Sequence, residues 1–317
     1  MPLSSQRTRI TLAFACVYLC WGMTYAAIRI AGLHLAPPLV GAARSILSAV
    51  ILVSICLARG TSLRVPARTA WRLALVGILM MTVNNLLLIW GETKVASGLA
   101  SLIIATIPIY VALMETALPG GERLSARGWL GVLLGAAGMF ALVSPALRHG
   151  STAGLSGGTI AGYIILVGAG LAFATGSVAS RRFRFQVDIF VATAWEIAAA
   201  GTVNIAIALG AGNLRTAHWT PATLASIAFL SVFGSVVGLT AYTYLLQRVP
   251  VTKVATYAFV NPVIAVLIGV AAFHERLAPA ELAGMALILV AVATVIVSRT
   301  RNAPVPSDPL LEVPIEE

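Results

Sequence analysis

Charge is what this sequence has least of. Asp, Glu, Lys and Arg make up 10% of its 317 residues, against about a quarter in an ordinary soluble domain, so there is too little charge to coat a water-facing surface. Cysteine is nearly as scarce. Cys16, Cys20 and Cys56 all sit inside apolar runs without CxxC spacing, which excludes a disulfide framework and a zinc site. The four histidines, His34, His149, His218 and His274, fall in polar connections without metal-ligand spacing, so no metal and no other cofactor is expected. There is no HExxH, no aspartate pair and no nucleophile beside a base at depth in an apolar run. The chain therefore lacks the equipment of a membrane-embedded enzyme. Long polar segments are missing as well. The connections between runs are too short for a soluble catalytic or nucleic-acid-binding domain, and the tail "RTRNAPVPSDPLLEVPIEE" has the prolines and carboxylates of a segment that cannot build a core.

What the sequence does have is apolar length. It is 59% hydrophobic with a mean hydropathy of +0.94, and a bilayer core about 30 Å thick takes roughly 20 apolar residues per helix. Ten runs meet that length, near 10–29, 37–58, 71–91, 97–118, 126–145, 157–180, 188–210, 222–246, 251–273 and 279–298. The first, behind Arg7 and Arg9, has the form of a signal-peptide core, but similar runs recur as far as Val297, so it is read as a retained helix. The expected fold class is an all-α integral membrane protein with ten transmembrane helices, and the lipid bilayer is its first partner.

The net charge of +10 is not spread as a nucleic-acid partner would require. With the N-terminus in the cytoplasm, the inner loops and termini collect 15 of the 21 Lys and Arg residues and the outer loops only Arg29, Lys94, Arg148, Arg215 and Arg276; Arg44 is left inside a helix. The positive-inside rule then places both termini in the cytoplasm of a multi-pass cell (inner) membrane protein. The halves also repeat one another. "GERLSARGWLG" at 121–131 is echoed by "HERLAPAELAG" at 274–284, and "IPIYVAL" at 107–113 by "NPVIAVL" at 261–267. Residues 1–150 and 151–300 read as two five-helix units, with 301–317 a disordered cytoplasmic tail. An odd number of spans per unit makes the second copy cross the membrane upside down, the inverted-repeat architecture of transporters. Glu122 and Glu275 in the twin turns read mainly as hairpin-fixing charges near helix starts, with Ser125 as a cap and Pro279 in a first turn. Gly128, Gly131, Gly135 and Gly138 make one smooth helix face suited to close packing.

Together "CWGMTYAAIR" in the first run, "PPLVGAAR" at the second, the proline-centred fourth and ninth runs and the twin "ERL" turns resemble the EamA-type members of the drug/metabolite transporter superfamily. The resemblance covers nearly the whole chain. It implies ten helices, termini inside, a central cavity from helices one, three and four and their repeat equivalents, and export as the direction of flux. It does not single out a substrate, since such proteins carry amino acids, drugs and other metabolites.

Residues that bind cargo have to be polar or aromatic at membrane depth, because an unpartnered polar group facing lipid is costly. Trp21 and Tyr25 are four apart on the first helix, Asn84 lies on the third with Trp90 near its outer end, and Lys253, Tyr257 and Asn261 share a face of the ninth, with Tyr242 on the eighth. Trp90 and Tyr242 fit an interfacial aromatic belt equally well. Pro108 and Pro262 should kink their helices beside the cavity. Three charges lie deep: Arg44, Glu115 and Glu196. Arg44 either meets an anionic group of the cargo or holds a static pair, Glu196 either relays protons or sits in an ion pair, and Glu115 is near enough to an end to snorkel. The expected function is transport of small amphipathic molecules, neutral or aromatic amino acids foremost, with protons as a candidate coupling ion. The alternatives are export of drugs or nucleosides, or a membrane sensor.

Overall fold

A computed structural model of the chain describes residues 3–119, 124–148, 157–249, 254, 257–274 and 279–300. Every regular element among them is helical: α1 (Leu3–Gly32), α2 (Pro37–Ala58), α3 (Ala67–Glu92), α4 (Ser97–Ala117), α5 (Ala126–Arg148), α6 (Gly157–Phe183), α7 (Ile189–Gly210), α8 (Pro221–Arg248), α9 (Tyr257–Phe273) and α10 (Pro279–Thr300). A short 3₁₀ turn, Asn213–Thr216, lies between α7 and α8. Seven helices, α1 to α4 and α6 to α8, are long and apolar enough to cross a bilayer, while α5, α9 and α10 contribute apolar stretches of 10–17 residues. The chain is a multi-pass membrane protein. Glu122, Glu275 and Lys253 lie outside the described residues.

Local chemistry sets the helix ends. Asp188 accepts hydrogen bonds from the backbone N–H groups of Phe190 (2.9 Å) and Val191 (3.4 Å) to cap α7. Thr220 caps α8 ahead of Pro221 by accepting from the Thr223 N–H, and the Ser125 hydroxyl accepts from the Gly128 N–H at the start of α5. Gly60 and Gly212, at φ of 64° and 66°, close α2 and α7 in the left-handed conformation that glycine adopts without a Cβ penalty.

The helices pair in a pattern that treats the two halves alike. α2 packs on α7 and α5 on α10, each helix with its counterpart in the other half; α1 packs on α8 and α9, as α6 packs on α3 and α4. Small residues let these pairs approach closely. A Cβ placed on Gly131 would meet Val295 Cγ2 at 2.7 Å and the Ala291 carbonyl at 2.9 Å, and one on Gly138 would meet the Ile288 backbone nitrogen at 2.9 Å, so this glycine face of α5 is the seam against α10. Gly41 and Gly201 do the same where α2 meets α7, against Asn204 and Ser45.

Two helices carry a π-helical insert, at matching places in the halves: Ile78–Val83 in α3 and Leu230–Val237 in α8. Inserts of this kind widen the turn and cluster at functional sites. α4 is interrupted instead, as Ser97–Ile104 and Ile107–Ala117, with Pro108 in the first turn of the second segment. Pro108 thus starts a new helix rather than bending one. Pro262 lies within a helix that continues unbroken through Phe273.

Candidate functional site

The inserts and the break all border one cavity. It is lined from α1 by Trp21, Thr24, Tyr25 and Ile28, from α2 by Arg44, from α3 by Met80, Met81, Asn84, Asn85 and Leu88, and from α4 by Ile104 and Ile107. The second half supplies Phe173 of α6, Gly234 and Leu239 of α8, and Tyr257 and Asn261 of α9. The spacing on α1 follows from helix geometry, since residues at i, i+3, i+4 and i+7 share a face. The room inside is about 70 Å³. That holds a few waters, at about 10–15 Å³ each, and falls short of the ~300 Å³ typical of a ligand pocket. A cargo molecule requires the helices to part.

One wall is aromatic. The Trp21 ring lies 5.0 Å from Tyr242, 5.4 Å from Tyr257 and 5.8 Å from Phe173, centroid to centroid, distances at which edge-to-face and tilted pairs attract. The Trp21 indole N–H donates to the Gly234 carbonyl at 3.1 Å, an acceptor inside the α8 insert. Tyr242 stands one layer behind Trp21, and its hydroxyl meets the Ser177 hydroxyl of α6 at 3.2 Å. About one turn further along both helices is a second cavity of about 370 Å³, lined among others by Ser180, Arg181, Arg184, Gln186, Thr243 and Gln247.

A second part of the lining is polar, is organised by Arg44 and adjoins the aromatic part at Gly234. Its Nε donates to Ser235 Oγ at 2.6 Å and its Nη1 to Asn85 Oδ1 at 3.2 Å. Asn85 Nδ2 in turn donates to the Met81 carbonyl at 2.9 Å, and Asn84 Nδ2 to the Ala169 carbonyl of α6 at 2.9 Å. Ser48 and Ser231 bind each other's helix backbones across α2 and α8, at 3.2 and 3.1 Å. Both asparagines follow the α3 insert directly, and Ser235 and Gly234 lie within the α8 insert. The π-helical turns thus deliver the polar groups that hold the guanidinium.

Of the residues expected to touch cargo, Trp21, Tyr25, Arg44, Asn84, Tyr257 and Asn261 line this cavity. Trp90 does not. It is 51% exposed near the end of α3, where an indole faces lipid or the interface. Glu196 is buried on α7 yet outside the cavity lining, where α3 packs closely against its backbone. Glu115 is buried rather than snorkelling, paired with Arg182 at 3.4 Å and Arg181 at 3.8 Å. Asn85, Ser235, Phe173 and the methionines were not anticipated.

With this geometry in view, comparison with known proteins places the chain. Residues 8–144 and 160–297 each match the EamA-like transporter family. The chain belongs to that family. YedA of Escherichia coli (strain K12), an uncharacterized inner membrane transporter, is 33% identical over 285 residues, covering 89% of either chain. YvbV of Bacillus subtilis (strain 168), an uncharacterized transporter, is 27% identical over 300 residues, covering 91% of this chain and 92% of its own. A solved crystal structure superposes with a TM-score of 0.66 over 93% of this chain and 99% of its own at 21% identity, a likeness of fold.

Proposed function

We propose that this EamA-family transporter moves small amphipathic metabolites, with neutral and aromatic amino acids foremost, out of the cell by alternating access. The observation that carries the reading is the central cavity. Both halves line it, one wall offers rings on which an apolar side chain can stack, and the other offers amide and guanidinium groups that fix a polar head. In this reading the halves are inverted five-helix repeats that together make ten spans, with both termini cytoplasmic. The paired contacts of α2 with α7 and α5 with α10, and the matched π-helical inserts, support an approximate two-fold relation between them. Inversion then lets the halves exchange conformations and so exchange the side on which the cavity opens. The direction of flux rests on family membership and the resemblance behind it. Glu196 is the candidate to carry a coupling proton, buried next to α3, one of the cavity walls.

The test is flux. Purified full-length protein in sealed liposomes should accumulate labelled phenylalanine or another neutral amino acid, faster with a pH gradient if protons drive the cycle, and Tyr257→Ala should cut uptake at least about tenfold with expression intact. Uptake of nucleosides or cationic drugs with none of any amino acid would replace the cargo assigned here.

A further inference from the structure

We infer that the cavity has two chemically distinct ends that together recognise a zwitterionic α-amino acid head: Arg44 takes the carboxylate, while Asn261 and Tyr257 take the ammonium group. The inference deepens the proposed function and rests on it. It starts from a charge imbalance. Arg44 is the one ionised side chain in the cavity lining, where no Asp, Glu or Lys stands among the described residues. It is 7% exposed and forms no ion pair within 4.0 Å among them. A guanidinium carries five N–H donors, and the protein occupies Nε and Nη1 with neutral acceptors. Nη2 lies beside Gly234, whose missing Cβ would sit 3.0 Å from it. The absence of a Cβ there lets the guanidinium lie against α8, and with Nε and Nη1 engaged, Nη2 is the nitrogen left to donate to a carboxylate.

Neutral acceptors offset the burial of a positive charge only in part, so a carboxylate entering the cavity gains the pairing that the fold withholds.

The other end asks for a donor. Asn261 Oδ1 and the Tyr257 hydroxyl are buried in the lining, and neither has a hydrogen-bond partner in the protein. They lie four residues apart on α9, on one face. Both are acceptors, one of them exclusively so, and an ammonium group brings three donors. Between the two ends, Trp21 and Phe173 present the apolar surface that a side chain would cover.

Three probes isolate the two ends: L-phenylalanine, L-phenylalaninamide, which keeps the ammonium and lacks the carboxylate, and 3-phenylpropionate, which keeps the carboxylate and lacks the ammonium. Uptake into liposomes and thermal stabilisation in detergent are measured for each, with uridine as a probe lacking either charge. The wild-type protein should prefer phenylalanine to both analogues by at least about tenfold. Arg44→Gln should erase the preference over the amide and keep that over phenylpropionate; Tyr257→Phe combined with Asn261→Leu should do the reverse. Should Arg44→Gln fail to fold, the wild-type ranking decides alone. Equal handling of phenylalanine and its amide overturns the inference, as does uptake of uridine without phenylalanine, though the chain then stands as a transporter of other cargo. Uptake of none of the four overturns the amino-acid reading with it.

Discussion

Asn204 is fully buried on α7, and neither its amide nitrogen nor its carbonyl oxygen has a hydrogen-bond partner in the protein. It is held against Gly41 of α2, where a Cβ would approach its Nδ2 to 2.8 Å. Leaving a buried amide unsatisfied costs about 1–3 kcal/mol, so Asn204→Leu, close in shape, should raise thermal stability in detergent by about 1 kcal/mol. Gly41→Ala should lower it by about 1–3 kcal/mol through overpacking, and the loss should shrink in an Asn204→Ala background, because the clash is with that side chain. Melting curves of the four proteins close the cycle; additive losses would mean that the two residues do not share a contact. The same scale shows what composition could and could not tell. Trp21, Tyr25, Asn84, Tyr257 and Asn261 were legible because a polar or aromatic residue at membrane depth needs a reason, and Arg44 for the same cause. Trp90 has the same chemistry, but it stands about 200° around α3 from the cavity-lining Leu88 and faces outward, and residue type alone does not report the face. Asn85 was missed because a regular helix with Asn84 on the cavity face turns its neighbour away.

At the level of elements, the positions of the helices followed from apolar length, since each expected run overlaps a helix of the structure. Their interruptions were less legible. Proline marks a helix irregularity by chemistry, yet Pro108 opens a separate segment while Pro262 sits in an unbroken helix; which occurs depends on the neighbours that accommodate the freed carbonyls. The π-helical inserts have no residue signature, for "ILMMTV" and "LSVFGSVV" are ordinary helix sequence. The glycine face of α5 was readable, because recurrence at three and four residues defines a stripe. It supports a graded prediction. Gly138→Val should be severe, about 3 kcal/mol or loss of folded protein, because the added carbons meet the Ile288 backbone, which cannot rotate away. At Gly168 a Cβ would touch only Leu87 Cδ1 at an ordinary 3.4 Å, so Gly168→Ala should be tolerated within about 0.5 kcal/mol. Detergent-extracted yield and melting temperature measure both, and equal tolerance would separate α5 from α10 at that seam.

For the whole molecule, the decisive property is the relative direction of its halves. Packing α2 on α7 and α5 on α10, with α1 on α8 and α9 matched by α6 on α3 and α4, is what a two-fold axis produces, but helix contacts alone do not say which end of the molecule faces the cytoplasm. The charge asymmetry supplies the expectation to test: with the N-terminus inside, most Lys and Arg fall in connections on that same side, and cytoplasmic retention of basic loops is the rule. The connection after α2, with Arg59 and Arg64, should then face the cytoplasm, and its counterpart after α7, with Gly212 and Thr216, the opposite side. Both connections follow the second helix of their unit and both begin with a left-handed glycine, so inversion is what would set them apart. Single cysteines at Ser62 and Thr216, in a protein whose Cys16, Cys20 and Cys56 are replaced by alanine, put this to a direct measurement. In intact cells an impermeant maleimide should label Thr216→Cys and spare Ser62→Cys until the membrane is opened. Labelling of both from outside, or of neither, would place the two connections on one side and remove the inverted-repeat basis for alternating access.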